Sequence, residues 1–185
     1  SKLGRRKIVT AKIISVVAFS TIWVLCFYTL YLGIFFVLSG GLIGFDKPLN
    51  SLYLFHISPY GGLSIVSYML ISIGYAWLAC LTLSIITSFI STTQQTSLPT
   101  FGIVLAILFI PQLLDTANIR YALWPLIDFG FTRIANGVPI FSSYKSYNIL
   151  GNPLLYPIAI VIVLGVLLTL MIYLTYASYK RKNAT

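Results

Sequence analysis

Apolar residues run along this chain in long blocks. They do not follow the period of 3.6 or of 2 that marks an amphipathic helix or a half-buried strand. Residues 13–45 and 146–179 carry no charged side chain, and residues 48–114 carry only His56. An uncharged apolar stretch of about 18 residues or more is long enough to cross a bilayer as a helix. Polar or Gly/Pro-rich punctuation divides the blocks at "SGGLIGFDKPLN", "STTQQTS" and "NGVPIFSSYKSYNILGNP". The pattern predicts four spans, at 13–38, 62–90, 98–114 and 154–177. The second is longer than a hydrocarbon core of ~30 Å requires, so it tilts or projects. The third is just long enough, and Pro111 interrupts its end. The expected fold is all-α: one polytopic transmembrane helix bundle over residues 1–185, with a long outer segment at 115–153.

Composition agrees with this pattern. Hydrophobic residues make up 58% of the 185 and charged residues 8%, and mean hydropathy is +0.95. A soluble domain would carry roughly a quarter charged residues. The opening "SKLGRRKIVTAK" resembles the n-region of a signal peptide, but the apolar run behind it is too long and lacks a small-residue cleavage site.

Charge sets the orientation. Lys2, Arg5, Arg6, Lys7 and Lys12 precede the first span, and Lys180, Arg181 and Lys182 follow the fourth. By the positive-inside rule both tails are cytoplasmic, which demands an even number of spans. The outer side then holds Lys47, Arg120, Arg133 and Lys145 with all three acids, Asp46, Asp115 and Asp128. The net charge of +9 is mostly this orientation signal. It is not a nucleic-acid footprint, because no basic patch is interleaved with aromatics in a soluble domain. Tyr28 and Tyr31, Tyr156, and Tyr173, Tyr176 and Tyr179 fall where headgroup-level aromatic belts are expected. Trp23 and Trp77 lie deeper and are expected to pack between helices.

The spans lack Asp, Glu, Lys, Arg and His, which argues against ion-coupled transport, proton pumping or voltage sensing by these helices alone. There is no phosphate-binding G-x-x-x-x-G-K-[ST] loop. His56 has no Cys or His at metal spacing, and Asp46 with His56 lacks a placed nucleophile. Cys26 and Cys80, inside spans, are expected to be buried thiols rather than a disulfide. No catalytic residue, metal site or cofactor is expected. The terminal "NAT" matches a glycosylation acceptor, but this topology places it in the cytoplasm.

Two features bear on assembly. Ser72, Ala76, Cys80, Ser84 and Ser88 recur every four residues and form a stripe of small side chains. In lipid such stripes let helix backbones approach closely. The stripe serves either as a protomer interface or moving seam, or as packing within one subunit. The second feature, "NIRYALWPLIDFGFTRI", is too aromatic for a solvated loop. With Arg120, Tyr121, Trp124, Asp128 and Arg133 it suits a short helix pair at, or dipping into, the outer interface. It is either an extracellular gate or a structural cap.

"GRRKIVTAK", running straight into a long span, resembles the start of the third span of ABC-2 type transporter permeases. Those proteins often carry a Gly, basic residues, an apolar pair and a Lys there. Gly4, Arg5, Arg6, Lys7 and Lys12 match that pattern. An aromatic re-entrant segment between the last two spans is also typical of that family, and residues 121–140 correspond to it. The family has six spans and this chain four, so the resemblance implies a C-terminal part without the first two spans, in keeping with Ser1 in place of Met. It further implies a bacterial plasma-membrane subunit that forms a homo- or heterodimer and pairs with ATP-binding cassette subunits. Such a complex would export a hydrophobic or peptide-like substrate, with the basic cluster coupling to the ATPase. The alternative from another class is a non-transporting four-helix membrane scaffold or an immunity-type binding protein.

Overall fold

The computed structural model describes residues 2–41, 44–94, 96–116, 120–149 and 151–181. Of residues 2–6, 39, 120–122, 124, 149 and 179–181 it describes the backbone alone. The architecture is an all-α membrane bundle. Four helices are long and apolar enough to span: α1 (Lys2–Ser39), α2 (Ile65–Thr93), α3 (Ser97–Thr116) and, late in the chain, α7 (Tyr156–Arg181). Between α3 and α7 lie three short helices, α4 (Arg120–Asp128), α5 (Phe131–Asn136) and α6 (Val138–Phe141), and a β-hairpin, β1 (Ser146–Ile149) with β2 (Asn152–Leu155).

The expected boundaries shift for local reasons. At 38 residues, or about 57 Å, α1 outruns any hydrocarbon core. Its basic opening is helical despite Gly4 and is continuous with the first span. Helix α2 starts at Ile65 rather than residue 62, because Ser64 caps it by accepting from the Ser67 amide at 3.2 Å. Helix α3 runs on through Pro111 to Thr116, and Pro111 is buried. The fourth span begins at Tyr156, since residues 154 and 155 belong to β2. The hairpin is a small departure from an all-helical chain. It pairs Tyr147 with Leu154 and Asn148 with Pro153, and turns at Gly151, whose φ of 85° a side chain would oppose. The ladder extends to α7 through the Tyr156 amide, which donates to Lys145 O at 2.9 Å.

Helix α2 is the axis of the bundle and packs against α1, α7 and α5. The core runs along it from Tyr75 and Ala79 to Ile86 and Ile90, meeting Ile160 and Leu164 of α7. Helices α1 and α3 keep most of their surface open, as spans do when lipid is the solvent. Ser20, Thr21, Thr82 and Thr175 donate to carbonyls four residues back, which satisfies their hydroxyls within the helix. A few polar groups cross between helices. Ser20 Oγ lies 2.8 Å from Ser84 Oγ in a hydrogen bond, Trp77 Nε1 donates to Thr21 Oγ1 at 3.0 Å, and Tyr75 OH to Pro157 O at 2.9 Å.

Thr10 Oγ1 lies 2.9 Å from Tyr176 OH, so the start of α1 sits beside the end of α7. Both terminal segments therefore occupy one end of the bundle, the tail end. The opposite end, the head end, carries α4, α5, α6, the hairpin and a loop at 45–64. Two aromatic expectations fail. Tyr156 is fully buried rather than placed in a headgroup belt, and Trp23 is exposed on α1, stacked on Phe19 of the same helix, rather than packed between helices.

Candidate functional site: a charged hub in the re-entrant head

The segment between α3 and α7 dips into the bundle. A Cβ on Gly137, between α5 and α6, would stand 2.8 Å from Ser72 Oγ. Ser72 lies seven residues, or about 10 Å, inside the head end of α2. The Phe141 ring lies 6.2 Å from that of Tyr75, a further turn down. On the other flank a Cβ on Gly130 would stand 3.0 Å from Pro111, five residues before the end of α3. These are close backbone approaches that Gly allows. Ile134 of α5 and Ile140 of α6 are fully buried as a result. The expected helix pair is thus three short helices, of which α5 and α6 enter the bundle.

At the head of this segment, Asp128 is the hub of a charged network. Its side chain is 1% exposed. Lys145 Nζ donates to both carboxylate oxygens, at 3.0 and 3.1 Å, and Tyr147 OH donates to Oδ2. Arg133 Nε approaches Oδ1 at 3.3 Å without hydrogen-bond alignment, so that contact is coulombic. Arg133 Nη1 also reaches Asp115 Oδ2 at 3.3 Å, at the end of α3. Tyr156 OH donates to the Asp128 backbone carbonyl. The rings of Phe129, Tyr147 and Tyr156 pack against one another at 5.3–6.1 Å. Lys145 Nζ stands 5.8 Å from the centre of the Tyr156 ring.

A buried carboxylate is tolerated only when paired and hydrogen-bonded, and here two cations and a phenol compensate it. The hub fastens α4, through Asp128, to four other elements: α3 through Asp115, α5 through Arg133, the hairpin through Lys145 and Tyr147, and α7 through Tyr156. Among the described residues no three His, Cys, Asp or Glu gather as metal ligands.

The residues singled out from the sequence fall in three places. Asp128 and Arg133 meet in the hub. Arg120, Tyr121 and Trp124 lie on α4, but their side chains are outside the described residues. Asp115, Lys145, Tyr147 and Tyr156 complete the hub and were not singled out for it. The signal available was that Arg133 and Lys145 share the head end with all three acids of the chain, two of them in or beside the aromatic segment.

In the stripe, Ala76 and Ser88 are buried, Cys80 is partly buried, Ser84 meets Ser20 of α1, and Ser72 meets Gly137. Its two ends therefore face different partners within this chain. Cys26, by contrast, is exposed on α1. The basic cluster lies on the tail-end extension of α1. Lys7 is exposed there and Lys12 is partly buried; of Gly4, Arg5 and Arg6 the backbone alone is described. His56 is exposed in the head loop, its ring bonded to Tyr53 O. Comparison with protein-family models, with curated proteins and with solved structures returned no match.

Proposed function

We propose that this chain is a transmembrane subunit of an ABC-2 type transporter. In this reading the tail end is cytoplasmic and receives an ATP-binding cassette partner, and the head end is the outer gate. The observation that carries the reading is the re-entrant α4–α6 segment between the last two spans, fastened by a charged hub to both neighbouring helices. A segment that enters the bundle between α3 and α7 on the buried Ile134, Ile140 and Phe141, with ion pairs closing its outer end, suits a gate whose charged closure separates and re-forms. The helical continuity of the basic opening with α1 adds a second support, since a rigid rod can carry motion from the tail end into the membrane. Arg5 and Arg6 then help seat the ATPase or steady the adjoining coupling helix, for which the planar guanidinium fork is suited. The substrate class is hydrophobic or peptide-like, and the working unit is a dimer of such subunits with two ATPases.

The test is purification of the tagged full-length chain from its native membrane in a mild detergent. An ATP-binding cassette protein should co-purify in near-equal amount, and its ATP hydrolysis should change on reconstitution into lipid. The double variant Arg5→Lys with Arg6→Lys keeps the charge, so insertion should remain normal while coupled hydrolysis falls. Recovery of the chain without any ATPase partner would leave a membrane scaffold and sink the transporter reading.

A further inference from the structure

The head-end loop between α1 and α2 holds a feature that the charged hub and the transporter reading do not use. Its excursion is closed at the base by the Pro48–Ser64 bridge, with the Leu49 amide on Leu63 O at 2.7 Å. Within it two short 3-10 turns, Leu49–Ser51 and Tyr53–Phe55, follow one another. Leu49 and Phe55 point inward and are almost completely buried. Tyr53, Leu54 and Ile57 point outward and are 88%, 68% and 79% exposed. No residue from 48 to 64 carries a formal charge at neutral pH. Side chains this apolar, adjacent on one surface with no charge among them, are unusual for a loop in water.

The backbone is equally unusual. The amides of Ser51, Leu52, Phe55 and Ser58 each donate to a carbonyl three residues back, at 2.9–3.1 Å. His56 Nδ1 donates to Tyr53 O at 2.9 Å, and its ring stacks on that of Tyr53. The turn therefore satisfies much of its own backbone, as a segment near hydrocarbon must. Its height is set by Phe55, whose ring lies 4.9 Å from that of Tyr68. Tyr68 is three residues, or about 4.5 Å, inside the head end of α2. The loop therefore folds back against the head-end turns of α2 instead of rising clear of the bundle. Ser58 Oγ holds it there through Phe141 O at 2.6 Å.

We infer that the 52–57 turn is an interfacial anchor that seats Tyr53, Leu54 and Ile57 in the headgroup–acyl boundary of the head-end leaflet. Its occupant is the phospholipid bilayer itself. Tyr53 and His56 supply rings with one apolar face and one polar tip, the type that settles at that depth. The turn works as a wedge: Leu49 and Phe55 grip the head, and the opposite face grips the membrane. The inference does not rest on the transporter reading and survives its failure.

The experiment is depth measurement by spin label. Cys26→Ser and Cys80→Ala remove the native thiols. A nitroxide is then placed at Leu54→Cys in one variant and at Ile57→Cys in another, in the full-length chain reconstituted in phosphatidylcholine–phosphatidylglycerol liposomes. Relaxation by oxygen, which partitions into lipid, is compared with relaxation by a neutral nickel chelate, which stays in water. At both positions the oxygen-to-chelate accessibility ratio should exceed that of a fully aqueous nitroxide several-fold. A ratio equal to the aqueous one at both positions overturns the proposal. So does a label shielded from both reagents with dipolar broadening between copies, which would assign the turn to a second copy of this chain. The two sites are independent, so a variant that fails to elute as a folded monodisperse species leaves the other to decide.

Discussion

Replacing Asp128 by Asn removes one charge from the centre of the head-end hub and almost no volume. The side-chain exposures rank the consequences: 1% for Asp128, 18% for Lys145, 25% for Arg133 and 39% for Asp115. Breaking a buried ion pair from one side typically costs roughly 3–5 kcal/mol, because the remaining charge stays desolvated. Three features reduce that here. Lys145 has enough surface to turn its ammonium toward water, Arg133 retains Asp115, and the Asn carbonyl still accepts from Tyr147. The expected loss is about 2–3 kcal/mol. Asp115→Asn, at a far more exposed end of the same network, should cost about 0.5 kcal/mol.

Lys145→Met leaves the carboxylate with Tyr147 and Arg133 and should cost about 1–2 kcal/mol. If Asp128 and Lys145 act as a pair, the double variant should be less destabilised than the sum of the singles by about 1 kcal/mol or more. Reversible unfolding in mixed micelles, followed by circular dichroism, supplies all four corners of that cycle. Additive losses, or an Asp128→Asn variant no weaker than Asp115→Asn, would refute the hub as the fastening of the head.

Four shorter predictions follow from other parts of the molecule. Single cysteines at Lys47 and at Asn183, on a background without Cys26 and Cys80, should label from opposite faces of intact cells, with Asn183 protected from an impermeant reagent; labelling of both from outside would break the even-span topology. Gly137→Ala forces a side chain onto a backbone at φ 72° and against Ser72, and should lower stability by about 2–4 kcal/mol. Adding Ser72→Gly should recover only the contact part of that loss in the same unfolding assay. Ser84→Leu should split α1 from α2 where Ser20 is buried, costing about 1–3 kcal/mol, while Leu78→Phe, off the stripe, should be milder in a thermal aggregation assay. Tyr60 OH is buried without a hydrogen-bond partner among the described residues, and burial first, then the nearby Tyr144, raises this phenol above its ordinary 10.0. Its contribution is therefore fully present below pH ~10 and is lost as pH rises through the higher folded value; Tyr60→Phe should leave stability unchanged at neutral pH and flatten part of the alkaline loss.

The spans were legible because a bilayer imposes length and apolarity on any helix that crosses it. Each of the four is found within a few residues of its expected place apart from the start of α1, where helix runs back through the basic opening. What apolarity does not carry is rotation about the helix axis. In water, the apolar stripe of a helix points at the core; in lipid, the outer face is apolar as well, so Trp23 and Tyr156 look alike in the sequence. One faces outward and the other is fully buried under the hub. The information about rotation sits instead in the few polar side chains. Ser20 and Thr21 mark the side of α1 that meets α2, Thr10 the side that meets α7, and Tyr75 the side of α2 that meets the start of α7. The same logic reaches the hub. Three acids in 185 residues are too few to serve as general solvation, and the two that flank an aromatic, membrane-dipping segment need cations close by. Arg133 was visible as one of them because it shares that segment with Asp128. Lys145 was not, because it arrives through a hairpin hidden in what reads as linker: "SYNILGNPLL" lacks alternation strong enough to outweigh its Gly and Pro. In a membrane chain of this kind, each charged or hydroxylated residue outside the basic tails is best treated as half of a contact, and the search for its partner as the search for the fold's rotations and fastenings.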